Sequence, residues 1–92
     1  MIRSFVDKKT ETLFNDVSVP KFKNVERVAR RKLIFLSQAH SLNDLKSPPN
    51  NCLEALKGDR KGQHSIRINK QWRLCFVWKN NDAYEVEIVD YH

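Results

Sequence analysis

The chain predicts an α+β domain: a small antiparallel sheet with two N-terminal helices packed on one of its faces. Three observations carry this. In the front half Val25, Val28, Ala29, Leu33 and Leu36 recur at helical spacing. In the back half the apolar residues alternate instead, first Ile66 and Ile68, then Trp72, Leu74, Phe76 and Trp78. Turn-forming links, Asn69-Lys70-Gln71 and Asn80-Asn81-Asp82, join the alternating segments. Helical spacing marks a helix with one buried side, and strict alternation marks a strand with one buried face. Helices first and strands afterwards favour segregated layers.

A length of 92 residues makes one domain, residues 1–92, with a single core of limited size. Charged residues at 30% and hydrophobic ones at 40% fit a folded globular chain rather than a disordered one. Lys and Arg number 17 against 11 Asp and Glu, a formal charge of +6. Such a surface suits nucleic acid or another polyanion, although charge alone names no partner.

The elements follow in order. Ile2, Ser4 and Val6 alternate with Arg3 and Phe5, a weak strand pattern broken at Asp7. Lys8 to Phe14 makes a short helix, with Asp7 as N-cap and Leu13-Phe14 as its apolar contact. The second helix runs from Pro20 or Asn24 to Ala39, its apolar stripe widened by Ile34 and Phe35. Its other side carries Lys23, Glu26, Arg27, Arg30 and Arg31. A solvated face is the ordinary reading of that side; a contact for protein or nucleic acid is the sharper one. Ser41 to Leu45 adds a helical turn, and Pro48-Pro49-Asn50-Asn51 ends regular structure.

Three strands then follow, Ser65–Asn69, Gln71–Lys79 and Ala83–Val89, joined as two hairpins. With the bulky set facing the helices, Arg67 and Arg73 project from the opposite, open face on adjacent strands. Alternation from Val86 and Ile88 assigns Asp90 and His92 to the core side and Tyr91 to the side of Glu85 and Glu87.

Cys52 and Cys75 form no CxxC pair, and no signal-peptide pattern is present, so reduced thiols in a cytoplasm are expected. His40, His64 and His92 have no ligand-like spacing to a cysteine, and no metal or other cofactor is expected. No run is long and apolar enough to span a membrane, so no membrane partner is expected.

The last third, Leu56 to His92, holds the residues suited to chemistry. Arginine presents a planar, permanently charged fork that matches phosphate oxygens. Arg67 and Arg73 on one open face, with Lys57, Arg60 and Lys61 in the preceding turn, suit an RNA backbone. They also suit the charge that builds on phosphorus during cleavage. The plain alternative is a pair of ordinary outward arginines. His92 titrates near neutrality. Metal-free RNA cleavage needs a base for the 2′-hydroxyl and an acid for the departing 5′-oxygen, and one imidazole fills either role. Asp90 would orient it, and Tyr91 would stack on a base or donate a hydrogen bond. Against this stands the tendency of terminal residues to fray. Lys57-Gly58 and Lys61-Gly62 lack the spacing of a P-loop, so their glycines set a turn. Glu85 and Glu87 read as a solvated edge.

The run Leu56-Lys57-Gly58-Asp59-Arg60-Lys61-Gly62, then Ser65-Ile66-Arg67-Ile68-Asn69, Gln71-Trp72-Arg73-Leu74-Cys75-Phe76 and the closing Val89-Asp90-Tyr91-His92, resembles the HigB toxins. These belong to the RelE/ParE superfamily of toxin–antitoxin modules. The likeness is dense from Leu56 onward and looser before it, in Met1-Ile2-Arg3-Ser4-Phe5 and Arg31-Lys32-Leu33. It implies a RelE-like sheet flanked by two helices and a metal-independent endoribonuclease that cuts mRNA in the A site of the 70S ribosome. It also implies a HigA-like helix-turn-helix antitoxin as partner, with operator DNA bound only through the complex. Lys57, Arg73, Asp90, Tyr91 and His92 match family positions of catalysis or RNA binding. Arg67 matches less closely, because some relatives place that arginine where this chain has Ile68 or Asn69. The likeness further implies that the terminal strand leaves strict register, bringing Asp90 and His92 to the working surface. The rival reading is a ParE-like toxin that binds DNA gyrase without nuclease chemistry, since a shared fold does not fix function. A non-catalytic RNA-binding module is a third.

Overall fold

The computed structural model describes residues 1–91. It contains helices α1 (Lys8–Phe14) and α2 (Glu26–Gln38), then strands β1 (Glu54–Ala55), β2 (Gln63–Arg67), β3 (Trp72–Lys79) and β4 (Asp82–Asp90). Short 3-10 turns lie at Pro20–Phe22, Leu42–Lys46, Pro49–Asn51 and Gly58–Arg60. The strands form one antiparallel meander, in the order β1-β2-β3-β4. This is the α+β arrangement that the order of periodicities predicts.

Asp7 caps α1 as expected, its Oδ2 accepting from Thr10 N at 3.0 Å. Buried Thr10 donates from Oγ1 to Asp7 Oδ1 at 2.7 Å and accepts from Ile88 N at 3.3 Å. One cap thus fastens α1 to the far end of β4. The second helix begins at Glu26, later than expected, because Pro20–Phe22 forms its own 3-10 turn that buries Phe22. Proline suits the first position of such a turn, where its missing N–H costs nothing. Arg30 is no solvated cation, since its Nε donates to Leu13 O at 3.0 Å and ties α2 to the end of α1. Arg27 and Arg31 are exposed.

The core lies between the helices and one face of the sheet. Leu13, Phe22, Ala29, Leu33 and Leu36 meet Ile66, Leu74, Phe76, Ala83 and Val86 there, all almost fully buried. Burying each large apolar side chain contributes about 1.5–3 kcal/mol against the entropy of ordering the chain. The opening residues extend the sheet: Ile2 and Phe5 bridge in parallel to Ala83 and Val86 on the outer edge of β4. Arg3 N donates to Ala83 O at 2.8 Å and Val6 N to Val86 O at 3.0 Å. The weak strand pattern at the start of the chain is therefore an edge partner for β4.

Both hairpin links behave as their sequences require. Asn69 Oδ1 accepts from Gln71 N and Trp72 N, each at 2.8 Å, which closes the β2–β3 turn. Asn80 and Asn81 take φ of 53° and 64°, the left-handed pair of a tight hairpin. Gly58 and Gly62 frame the turn before β2 with φ of 66° and 96°, a region glycine enters without strain.

Candidate functional site

The open face of the sheet is built by pairing register. Across β2 and β3, Arg67 pairs with Arg73 and Ser65 with Cys75; across β3 and β4, Arg73 pairs with Val89 and Cys75 with Glu87. A bulge between Cys75 and Val77, with Glu85 at φ 51°, inserts one extra residue into β4. The extra residue lets Ala83 and Val86 both face the core, which strict alternation forbids. Beyond the bulge the strand alternates again, and Glu87 and Tyr91 fall on the open side.

Arg73 is the most firmly held of the expected residues. Its Nε donates to Ser65 Oγ at 2.8 Å and its Nη2 to Cys52 O at 2.7 Å, with Glu54 Oε1 3.8 Å from Nη2. Its side chain is only 14% exposed. The guanidinium lies over the Tyr91 ring, 5.7 Å from the centroid, a cation–π contact. Arg60 crosses from the turn before β2. Its Nη1 donates to Gln63 Oε1 at 3.1 Å and to Glu87 Oε1 at 3.2 Å. Burial draws the Arg60 pKa down, but the Glu87 bond and the neighbouring Cys75 and Tyr91 carry it above the ordinary arginine value.

Beneath these groups Cys75 is fully buried on the open side. Burial raises its thiol pKa against the pull of Arg60 and Arg73, and the Tyr91 hydroxyl interacts with it. Burial and the adjacent thiol raise the Tyr91 phenol as well, while Arg60 and Arg73 pull it down. A neutral phenol beneath the Arg73 guanidinium and within the field of Arg60 can donate a proton or hydrogen bond to an anionic oxygen. The cations themselves can neutralise charge on phosphate.

The other expected residues divide. Lys57 opens the turn that contains Arg60 and is exposed, and Lys61 is exposed just after it. Arg67 shares the open face with Arg73 by register, but the two guanidiniums do not converge. Arg67 Nε turns back to Asn69 O at 3.2 Å, and the residue lines a cleft of about 450 Å³ with Arg31, Lys32 and Asn50. Burial and the charge of Arg31 lower the Lys32 pKa there. Asp90 does not leave register: it pairs with Trp72, so its side chain departs on the side of Ile88. Asp90 Oδ2 accepts from Gln71 Nε2 at 3.1 Å. The backbone ladder therefore runs in register through Asp90. His92 lies outside the described residues.

Ser65, Cys52, Glu54 and Glu87 were not singled out as site residues, yet they hold the two arginines. For Glu87 the signal was present in its parity with Tyr91. Among the described residues, no group of three or more His, Cys, Asp and Glu is placed to hold a metal ion, and no helix is long and apolar enough to cross a membrane.

A family model described as the RelE-like toxin of the type II toxin–antitoxin system HigB matches residues 3–92. The chain belongs to the HigB-like toxin family. It is 40% identical over 85 residues to toxin HigB-1 of Vibrio cholerae, with 90% of each chain covered. It is 35% identical over 94 residues to endoribonuclease HigB of Proteus vulgaris, with 100% of each covered. Its fold matches one chain of the YoeB–YefM toxin–antitoxin heterotetramer of Staphylococcus aureus at a TM-score of 0.63 and 18% identity, over 100% of this chain and 98% of that one. That likeness is one of fold, and the family description itself calls the toxin RelE-like.

Proposed function

We propose that the open face is the cleaving surface of an endoribonuclease toxin that acts, without a metal ion, on mRNA in the ribosomal A site. The observation that carries this reading is Arg73 lying over the Tyr91 ring, with Arg60 held by Glu87 on the same face above the buried Cys75. The relative named an endoribonuclease supports the same chemistry.

In the proposed reaction the 2′-oxygen attacks the adjacent phosphorus, forming one P–O bond as the bond to the 5′-oxygen breaks. One group takes the 2′-hydroxyl proton and another protonates the 5′-oxygen. His92 fills one of these roles, and Asp90, which leaves β4 on the Ile88 side, steadies it from the rim of the face. Arg73 and Lys57 offset the charge that develops on the phosphoryl oxygens. Tyr91 positions the substrate and donates to it. Arg60, Lys61 and Arg67 bind the flanking backbone, Arg67 from the end of the face next to the basic cleft. A HigA-like helix-turn-helix antitoxin neutralises the toxin and carries it to operator DNA, and the place of action is the cytoplasm with its 70S ribosomes.

The test is cleavage of mRNA in a purified translation system, comparing the wild-type chain with His92→Ala. Cuts at A-site codons that fall steeply with the substitution support His92 as the proton-transfer residue. Undiminished cuts keep the nuclease and shift catalysis to Lys57, Arg73 or Asp90, with proton transfer left to Lys57 or Asp90 because a guanidinium stays charged. No cutting by the wild type, with gyrase supercoiling inhibited instead, replaces the nuclease by a gyrase binder.

A further inference from the structure

Arg60 stands on a short turn, where a long flexible side chain samples many rotamers unless something holds it. Here it is held from two strands at once. Gln63 on β2 and Glu87 on β4 accept from the same nitrogen, Nη1, at 3.1 and 3.2 Å, which draws the guanidinium across β3. Gln63 pairs with Val77 and Glu87 with Cys75, so the fork lies over the middle of the open face, on the side that Tyr91 shares. The Arg60 and Glu87 side chains remain 33% and 28% exposed. A part-buried pair still open to solvent adds only modestly to folding stability, and a carboxylate on a surface meant for RNA repels phosphate. Its placement therefore needs a reason other than stability.

We propose that Glu87, assisted by Gln63, is a positioning residue that fixes Arg60 across the sheet as a preorganised phosphate-binding fork. Both bonds leave from Nη1, so Nε and Nη2 are the donors offered to a phosphate beside Tyr91. Holding the fork in place before substrate arrives lowers the ordering cost of binding. Glu87 acts only through Arg60, and that is the distinguishing feature. A carboxylate serving as proton acceptor, or merely as repulsive charge, acts whether or not the arginine is present. The inference rests on the nuclease reading above.

The experiment is a double-mutant cycle with Arg60→Ala, Glu87→Ala and the double substitution, plus Glu87→Gln, which keeps an acceptor without the charge. Two readouts are taken. One is cleavage of mRNA on programmed ribosomes across toxin concentrations, giving the half-saturating concentration and the maximal rate. The other is affinity for ribosomes carrying a message with a 2′-deoxy A-site codon, which cannot be cut. Losing a charge-assisted contact is expected to weaken binding about tenfold in Arg60→Ala. Glu87→Ala should match that loss, add nothing in the Arg60→Ala background, and be largely restored in Glu87→Gln. Tighter binding or faster cutting by Glu87→Ala overturns the proposal, as does a further loss in the double variant. Failure of the wild type to cut, with the binding cycle still coupled, sinks the nuclease reading and leaves the positioning role standing.

Discussion

Arg73 lies over the ring of Tyr91 with its guanidinium carbon 5.7 Å from the centroid, while its Nε is bonded to the buried hydroxyl of Ser65 at 2.8 Å. The cation is thus fixed on one side by the sheet and covered on the other by the residue after β4. A guanidinium satisfies both contacts because it is planar and carries donors along its edge. An ammonium is a point charge and satisfies one.

Arg73→Lys is therefore expected to behave as a loss rather than a conservative change. Cleavage should fall at least about tenfold, since the lysine cannot keep the Ser65 and Cys52 bonds while facing a phosphate. Arg73→Ala should also lose roughly 1–3 kcal/mol of stability, because it leaves the buried Ser65 hydroxyl short of a partner. Urea denaturation alongside the cleavage assay measures both. Full activity in Arg73→Lys would show that charge alone is required.

The strand faces were legible in the sequence, because alternation placed Ser65, Arg67, Arg73 and Cys75 together and the register bears this out. Where the long side chains go was not legible. Arg67 and Arg73 are cross-strand partners, yet one turns to Asn69 O and the other to Ser65 and Cys52. Those partners come from a loop and a two-residue strand that carry no periodicity. The bulge at Glu85 was equally hidden, since no glycine or proline marks it; its N–H is held by Ser4 Oγ at 2.9 Å, from the other end of the chain. Asp90 illustrates the opposite case. Strict alternation assigned it to the side of Ile88, the family likeness moved it off, and the pairing with Trp72 returns it.

A second prediction concerns acid. Asp82 accepts from Arg3 Nε at 3.0 Å and lies 3.2 Å from the Met1 α-amino group. The Arg3 bond above all, then the α-amino group, holds its pKa below the ordinary value of 3.8. A carboxylate depressed in the folded state stabilises it fully above the unfolded pKa, and that contribution is lost as pH falls through the folded one. Asp82→Asn should accordingly lower the urea midpoint at pH 6, and the gap from the wild type should close as pH falls below about 4. A gap that stays constant down to pH 2.5 would show that the ion pairs with the opening strand contribute nothing.

The last prediction tests the floor of the site. Cys75 is fully buried although it faces the open side, whereas Cys52 is exposed. Burial raises the Cys75 thiol pKa, and Arg60, Glu87, Arg73 and Tyr91 act on the thiol from the open side. Alkylation proceeds through the thiolate and needs access, so the native protein should take up iodoacetamide at Cys52 and spare Cys75. If Tyr91 is the cover, Tyr91→Ala should open Cys75 to the reagent without loss of the fold, and the neighbouring guanidiniums should then favour the exposed thiolate. Mass spectrometry of the alkylated peptides separates the two cysteines, and circular dichroism confirms that the sheet persists. Equal protection of Cys75 in both proteins would assign the cover to Arg60 and Glu87 alone, leaving Tyr91 free to swing toward substrate without uncovering the thiol.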